Sequence, residues 1–202
     1  MTDAAFWDRI APKYAKSPIS NPDAYADTLA RVRTYLGATD RVVELGCGTG
    51  TTALKLAGDV EAYTGTDISA GMIAIANEKR AQDPVDGLSF KVANVTEVPA
   101  GTNVLLAFNL FHLVPDLEAA ISSLYNALPE GGLLISKTPA LAGKWYIRPM
   151  IRAMQVVGKA PYVRLLSVSE LDAIFEAAGF EVIETGLYPP TTPSRFIVAR
   201  KN

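Results

Sequence analysis

The chain is poor in the residues that build disulfides and metal centres. Its 202 residues include one cysteine, Cys47, and one histidine, His112. A single thiol excludes an internal disulfide framework. One Cys and one His leave no structural zinc set, and no metal is expected. An excess of positive charge is also missing, because 19 Lys and Arg stand against 21 Asp and Glu for a net charge of -2. Nucleic-acid binders carry a basic balance or stripe, so no nucleic-acid partner is expected. The longest apolar run lies near "VLLAFNLFHLV", short of the ~18 residues that a membrane span needs. The start, "MTDAAFWDRIAPKY", has no basic region followed by an apolar one, so it does not read as a secretory signal. A soluble cytoplasmic protein is the expectation. Nothing in the sequence fixes an oligomeric state.

What is present is a globular balance, 49% hydrophobic and 20% charged. In residues 1–39 two helical segments are expected. Phe6, Trp7 and Ile10 sit on a short one that ends in the Pro12 to Pro18 loop. Asn21 then caps a helix with Pro22 at its first position, an apolar face of Tyr25, Leu29, Val32 and Leu36, and Gly37 as its stop. From Asp40 strands and helices alternate. "RVVEL", "VEAYTGTD", "LSFKVAN", "NVLLAFN" and "GGLLISKT" read as strands. "TTALKLA", "SAGMIAIANEKRA" with Ser69 as its cap, and "DLEAAISSLYNAL" read as helices between them. Such alternation means crossovers and a mostly parallel sheet. The end differs. "SVSELDAIFEAAG" opens with a capping box, Ser167 to Glu170. Two strands follow, "FEVIETG" and "SRFIVAR", joined too tightly for a helical crossover and therefore antiparallel.

The expectation is an α/β fold: a Rossmann-like, doubly wound seven-stranded sheet, mostly parallel with an antiparallel last strand and helices on both faces. One domain covers 1–202. Within it, 1–39 is a helical cap, 40–138 a binding core, 139–167 a lid or insertion, and 168–202 a closing helix and two strands.

The densest signal is "VVELGCGTGTTALKLA", Val42 to Ala57. A glycine-rich turn between strand and helix lets backbone approach a ligand, beside the N–H groups of a helix start. The glycines are Gly46, Gly48 and Gly50. Dinucleotide sites use G-x-G-x-x-G, and Thr51 stands where their third glycine would be. The Lys-Ser/Thr pair of a Walker A loop is missing.

With Glu44, this run resembles the first motif of the class I S-adenosylmethionine-dependent methyltransferases, in the small-molecule branch like that of ubiquinone and menaquinone biosynthesis. "GTDIS", "ANVTEVP", "AFNLFHLVPDLEAAI" and "ALPEGGLLISKTP" are similar to its later motifs, and the resemblance covers roughly Asp40 to Arg200. It implies S-adenosylmethionine as cofactor and S-adenosylhomocysteine as product. It places Glu44 at the methionyl end and Asp67 on the ribose hydroxyls, with Ile68 and Met72 on the adenine face. Gly46, Cys47, Gly48, Gly50 and Thr51 form the loop. Asn94 and Val95 hold the adenine, although the family usually has Asp at position 94. Tyr14 lies near the methionyl carboxylate, and Asn109 touches cofactor or acceptor. Cys47 has no adjacent base and is not a nucleophile.

The same resemblance implies methyl transfer to a small acceptor by in-line displacement, and the apolar residues of the N-terminal and 145–157 stretches suggest an aromatic or lipid-like one. His112 is the candidate general base and otherwise positions its loop. Phe6, Trp7, Ile10, Trp145 and Tyr146 are the candidate acceptor contacts. Residues 144–159 interleave apolar and basic side chains, which suits a lid or a peripheral membrane contact. The alternatives are an inactive module that binds S-adenosylmethionine or S-adenosylhomocysteine, and a nicotinamide-dependent oxidoreductase, which Thr51 opposes. A DNA amino methyltransferase would need Asn/Asp-Pro-Pro-aromatic where "NLFH" stands.

Overall fold

A computed structural model describes residues 3–143, 146–188 and 194–202. Its seven strands form one sheet in the order β3-β2-β1-β4-β5-β7-β6. They are β1 (Arg41–Leu45), β2 (Ala62–Asp67), β3 (Leu88–Val92), β4 (Val104–Phe108), β5 (Leu133–Pro139), β6 (Phe180–Leu187) and β7 (Ser194–Lys201). Neighbours from β3 to β5 run parallel. Only β7 runs against the rest, antiparallel to both β5 and β6. The sheet is thus mostly parallel with an antiparallel last strand, as the alternation predicts.

The helices are α1 (Asp3–Ala15), α2 (Pro22–Arg33), α3 (Ala53–Leu56), α4 (Ala70–Gln82), α5 (Leu117–Ala127), α6 (Ile147–Val156) and α7 (Val168–Ala177). Side chains alternate across the strands, so Val42 and Val43 enter different cores. Val43, Leu45 and Leu105 pack with Leu117, Ile121 and Leu124 of α5 and Leu171 and Phe175 of α7. Val42, Val104 and Leu106 pack with Leu29 and Val32 of α2, Leu56 of α3, and Ile73 of α4. The central strand β4 lies between these layers, which is why it reads as a continuous apolar run.

The caps form as the sequence predicts. Asn21 accepts from Ala24 N at 3.0 Å, and Ser69 accepts from Met72 N at 3.0 Å. Both halves of the Ser167–Glu170 capping box are present.

Three helices differ from their sequence-based bounds. α1 continues through Pro12 to Ala15 instead of ending at a Pro12–Pro18 loop. Proline there forfeits one i→i−4 bond, and burial of Phe6 and Ala11 holds the helix in place. α2 stops at Arg33, before Gly37. Thr34, Tyr35 and Leu36 donate to residues three back, so the last turn tightens and runs out. α3 is only four residues and passes into a 3-10 turn, Ala57–Asp59, at Gly58. Among the described residues no helix is long and apolar enough to cross a membrane.

Candidate active site

The chain leaves β1 toward β2 and β3 on one side, then returns to place β4 on the other. The carboxyl ends of strands part at such a reversal, and open α/β sheets bind ligands there. A cavity of about 640 Å³ opens at this point, lined by Glu44, the glycine loop, Asp67 and Asn109. Its size is that of a small-molecule site.

The glycine loop is fixed by backbone. Gly46, Gly48 and Gly50 have φ of 63, 53 and 74°, a region costing other residues roughly 1–2 kcal/mol. A Cβ on Gly50 would stand 2.6 Å from Phe90 Cζ, and one on Gly46 would stand 2.7 Å from Leu110 Cδ1. Gly46, Cys47, Gly48 and Thr51 therefore present a close wall to the cavity. Gly50 shapes the turn from behind it. Cys47 is buried, which pushes its thiol pKa up and keeps it protonated.

Two carboxyl groups face this wall. Asp67 ends β2, its Oδ2 accepting from Gly48 N at 3.0 Å and its Oδ1 from Ser69 N at 2.9 Å. Each oxygen keeps a further lone pair for a ligand. Burial raises its pKa despite these bonds. Glu44 is 3% exposed and accepts from Tyr63 OH at 3.0 Å. Burial lifts its pKa to about 8. It is a mostly neutral acid at neutral pH, and a cation beside it would return it to carboxylate.

Ile68, Met72, Asn94 and Val95 also line the cavity. Met72 is buried, whereas Ile68 is partly exposed. The Asn94 side-chain oxygen accepts from Val95 N at 2.7 Å, which uses one of its two lone pairs. Asn109 follows β4 with φ 54°, the one positive value outside glycine among the described residues. Asn tolerates this conformation locally, and its N–H donates to Lys137 O at 2.8 Å.

The cap crosses above. Asp8 Oδ1 accepts from Ser69 Oγ at 2.6 Å and Gly71 N at 2.9 Å, which ties α1 to the start of α4. Trp7 and Tyr14 reach the cavity, 6.3 Å apart and edge to face. Phe6 and Ile10 do not line it, and Phe6 packs edge-on against Trp7 at 5.4 Å. Asp3 accepts from Tyr162 N at 3.3 Å, and Arg9 donates to Gly158 O, so the cap touches the 158–162 loop. Tyr162 lines the cavity and Tyr146 does not. Trp145 lies outside the described residues.

His112 follows β4 in the same segment. Its side chain is off the cavity wall, although Leu110, Leu113 and Val114 are on it. The chain makes a 3-10 turn over Phe111–Leu113. Residues three apart share a face in such a turn, so Leu110 and Leu113 enter together and His112 points elsewhere. Its Nδ1 is buried with no partner among the described residues. Burial depresses its pKa to about 4.

Sequence reasoning passed over Tyr25, Thr28 and Lys137, which line the cavity from α2 and β5. Tyr25 looks like one more apolar residue of its helix, and Lys137 like a surface charge.

This fold and cavity define a class I S-adenosylmethionine-dependent methyltransferase architecture. A family profile described as "Methyltransferase domain" matches residues 20–185, and the chain belongs to that family. The trans-aconitate 2-methyltransferase of Methylobacterium nodulans is 32% identical over 190 residues, covering 88% of this chain and 70% of that protein. The citrinin polyketide synthase of Monascus ruber is 30% identical over 143 residues, 62% of this chain, but the match spans only 5% of that synthase. Haemonchus contortus phosphoethanolamine N-methyltransferase 2 in complex with S-adenosyl-L-methionine has a TM-score of 0.79 at 15% identity, covering 100% of this chain and 60% of that one. The [4+2]-cyclase SpnF has a TM-score of 0.77 at 18% identity, covering 100% and 97%. The cofactor of the family is S-adenosylmethionine, and the donor set around Asp67 and Glu44 fits it.

Proposed function

We propose that the chain transfers the methyl group of S-adenosylmethionine to a small aromatic or lipid-like acceptor by in-line displacement. The carrying observation is one cavity that joins the glycine loop, Asp67 and Glu44 to an apolar wall of Trp7, Ile19, Phe108, Leu110, Leu113 and Val114. When bound, the cofactor supplies a methyl group activated on a positive sulfonium. The free lone pairs of Asp67 suit a ribose diol. Glu44 suits the cationic methionyl end, and Tyr14 and Asn109 border the same space. The apolar wall holds the acceptor and excludes water. Orientation of this kind supplies up to about 7–11 kcal/mol of a barrier. With His112 off the wall, the chain's contribution is positioning more than proton removal. A cytoplasmic location belongs to this reading.

A second reading is a module that binds the cofactor without turnover. Its support is Asn94, whose carbonyl is already turned onto Val95 N, and a fold shared with a protein described as a cyclase.

Thermal unfolding and calorimetry with S-adenosylmethionine, S-adenosylhomocysteine and NADH test the reading. Ligand at 100 times its dissociation constant adds ~2.7 kcal/mol, roughly 5–10 °C at this size. The adenosyl ligands should give this shift, and Asp67→Ala should weaken their binding at least 100-fold. A shift with NADH alone, or unchanged affinity in Asp67→Ala, overturns the site. Labelled methyl transfer to any acceptor removes the inactive module.

The finer reading of partners is a peripheral contact with an anionic membrane through 144–159. It is supported by α6, which turns Met150, Met154 and Val156 outward, Val156 being 87% exposed. Arg148 and Arg152 flank them, also exposed.

A further inference from the structure

Lys137 is the one cation on the cavity wall among the described residues. It stands near the end of β5, opposite Phe108 of β4 and Phe196 of β7. Its ammonium donates to Thr28 Oγ1 at 2.8 Å. The Thr28 hydroxyl gives its own proton to Ala24 O at 2.6 Å, so toward Lys137 it is purely an acceptor. A lysine ammonium carries three donors, and Thr28 takes one.

No carboxylate pairs with Lys137 among the described residues. Asp27 favours its charge from a distance, but that side chain is exposed on α2 and forms no ion pair with it. Residues 1–2, 144–145 and 189–193 contain no Asp or Glu. Burial works against this ammonium and lowers its pKa, a penalty that a bound anion would offset.

The position is on the far side from the nucleoside carboxylate. Asp67 ends β2, whereas Lys137 lies near the end of β5, beyond β1 and β4. Two strand spacings, ~10 Å, separate β1 and β5. Lys137 also bounds a side recess of about 390 Å³ with Ser20, Tyr25, Asn109, Tyr188 and Ser194. Tyr25, Asn109 and Lys137 line both spaces, so the recess adjoins the cavity on its β5 side.

We infer that Lys137, with Tyr25 and Asn109 beside it, binds a carboxylate of the methyl acceptor, which is therefore an apolar organic acid. This rests on the methyl-transfer reading above and names its substrate class. The lysine and Asn109 anchor the acid, Tyr25 borders it with a hydroxyl that shares a 3.1 Å hydrogen bond with Thr52, and the wall from Trp7 to Val114 covers its apolar part. The cofactor's own methionyl carboxylate is the other source of the same chemistry.

The test uses the full chain as wild type, Lys137→Met and Lys137→Arg. S-adenosylhomocysteine affinity is measured first. Protein saturated with it is then titrated with 4-phenylbutanoate and octanoate, each beside its amide. Wild type should bind at least one acid tenfold or more tighter than its amide. Lys137→Met should abolish that preference with less than threefold change in S-adenosylhomocysteine affinity, and Lys137→Arg should keep it. Two results overturn the inference. One is an acid preference that survives in Lys137→Met; a tenfold loss of S-adenosylhomocysteine affinity beside it gives the lysine to the cofactor. The other is no acid preference in wild type. Should Lys137→Met lose its cooperative unfolding transition, Lys137→Gln and the wild-type comparison carry the same two outcomes. Failure of S-adenosylhomocysteine to bind wild type at all counts against the methyl-transfer reading and is seen before any acid is added.

Discussion

The floor of the cavity and its roof are built on different principles. The floor is the glycine loop, Glu44 and Asp67, set at the ends of β1 and β2 and held by short bonds to backbone. The roof is α1 and the segment that carries α6, joined through Asp3, Arg9, Gly158 and Tyr162. α6 buries only Ile147 and leaves Met150, Met154 and Val156 exposed. A floor made of main chain and bonded carboxyl groups has little freedom to change shape. A roof of side chains from a helix and a loop has more. Three measurements sharpen that contrast.

The largest effect should come from the floor. Gly50→Ala must adopt φ 74° and crowd Phe90. Left-handed strain and overpacking together cost about 2–4 kcal/mol, so Tm should fall by roughly 5–15 °C. S-adenosylhomocysteine affinity should fall with it. A Tm within 2 °C of wild type would mean that the loop is less constrained than its contacts imply.

The middle effect is a proton. Glu44 has a pKa of about 8, above its ordinary value. A raised carboxyl pKa binds protons to the folded state, so this group favours folding below its ordinary pKa and opposes it as pH rises toward 8. S-adenosylmethionine placed with its ammonium against Glu44 should lower that pKa and release up to one proton at pH 7. Calorimetry in buffers of different ionisation enthalpy reads the release, and Glu44→Gln should remove it. Binding without release would place the cation elsewhere.

The smallest effect belongs to the roof. Met150→Ser with Met154→Ser should change stability by less than about 0.5 kcal/mol per site, because both side chains are exposed. Binding to vesicles of anionic lipid should fall severalfold while S-adenosylhomocysteine affinity holds. Equal sedimentation of both proteins would remove the membrane contact.

The floor was legible because its signals are local. Three glycines, a Glu two residues before them and an Asp at the next strand end fall in one short stretch, Glu44 to Asp67. The strand and helix pattern and the Asn21, Ser69 and Ser167 caps are local as well. What escaped depends on partners far along the chain. Pro12 suggests a break, yet α1 persists because Phe6 and Ala11 are buried and Asp8 meets Ser69 and Gly71. The 3-10 turn at Phe111–Leu113 that puts Leu110 and Leu113 on the cavity wall has no signature in the sequence. Lys137 looks like a solvated charge until Thr28, 109 positions away, meets it.

The place of β7 has a consequence for biosynthesis. It is the final strand of the sequence but an interior strand of the sheet, between β5 and β6. While a ribosome is still adding residues 194–201, β5 has an open edge and β6 has nothing to pair with. Phe196, Ile197, Val198 and Ala199 then complete both cores at once. An apolar strand edge left open invites pairing with other chains. Until β7 pairs, β5 and β6 therefore offer edges that another chain could take.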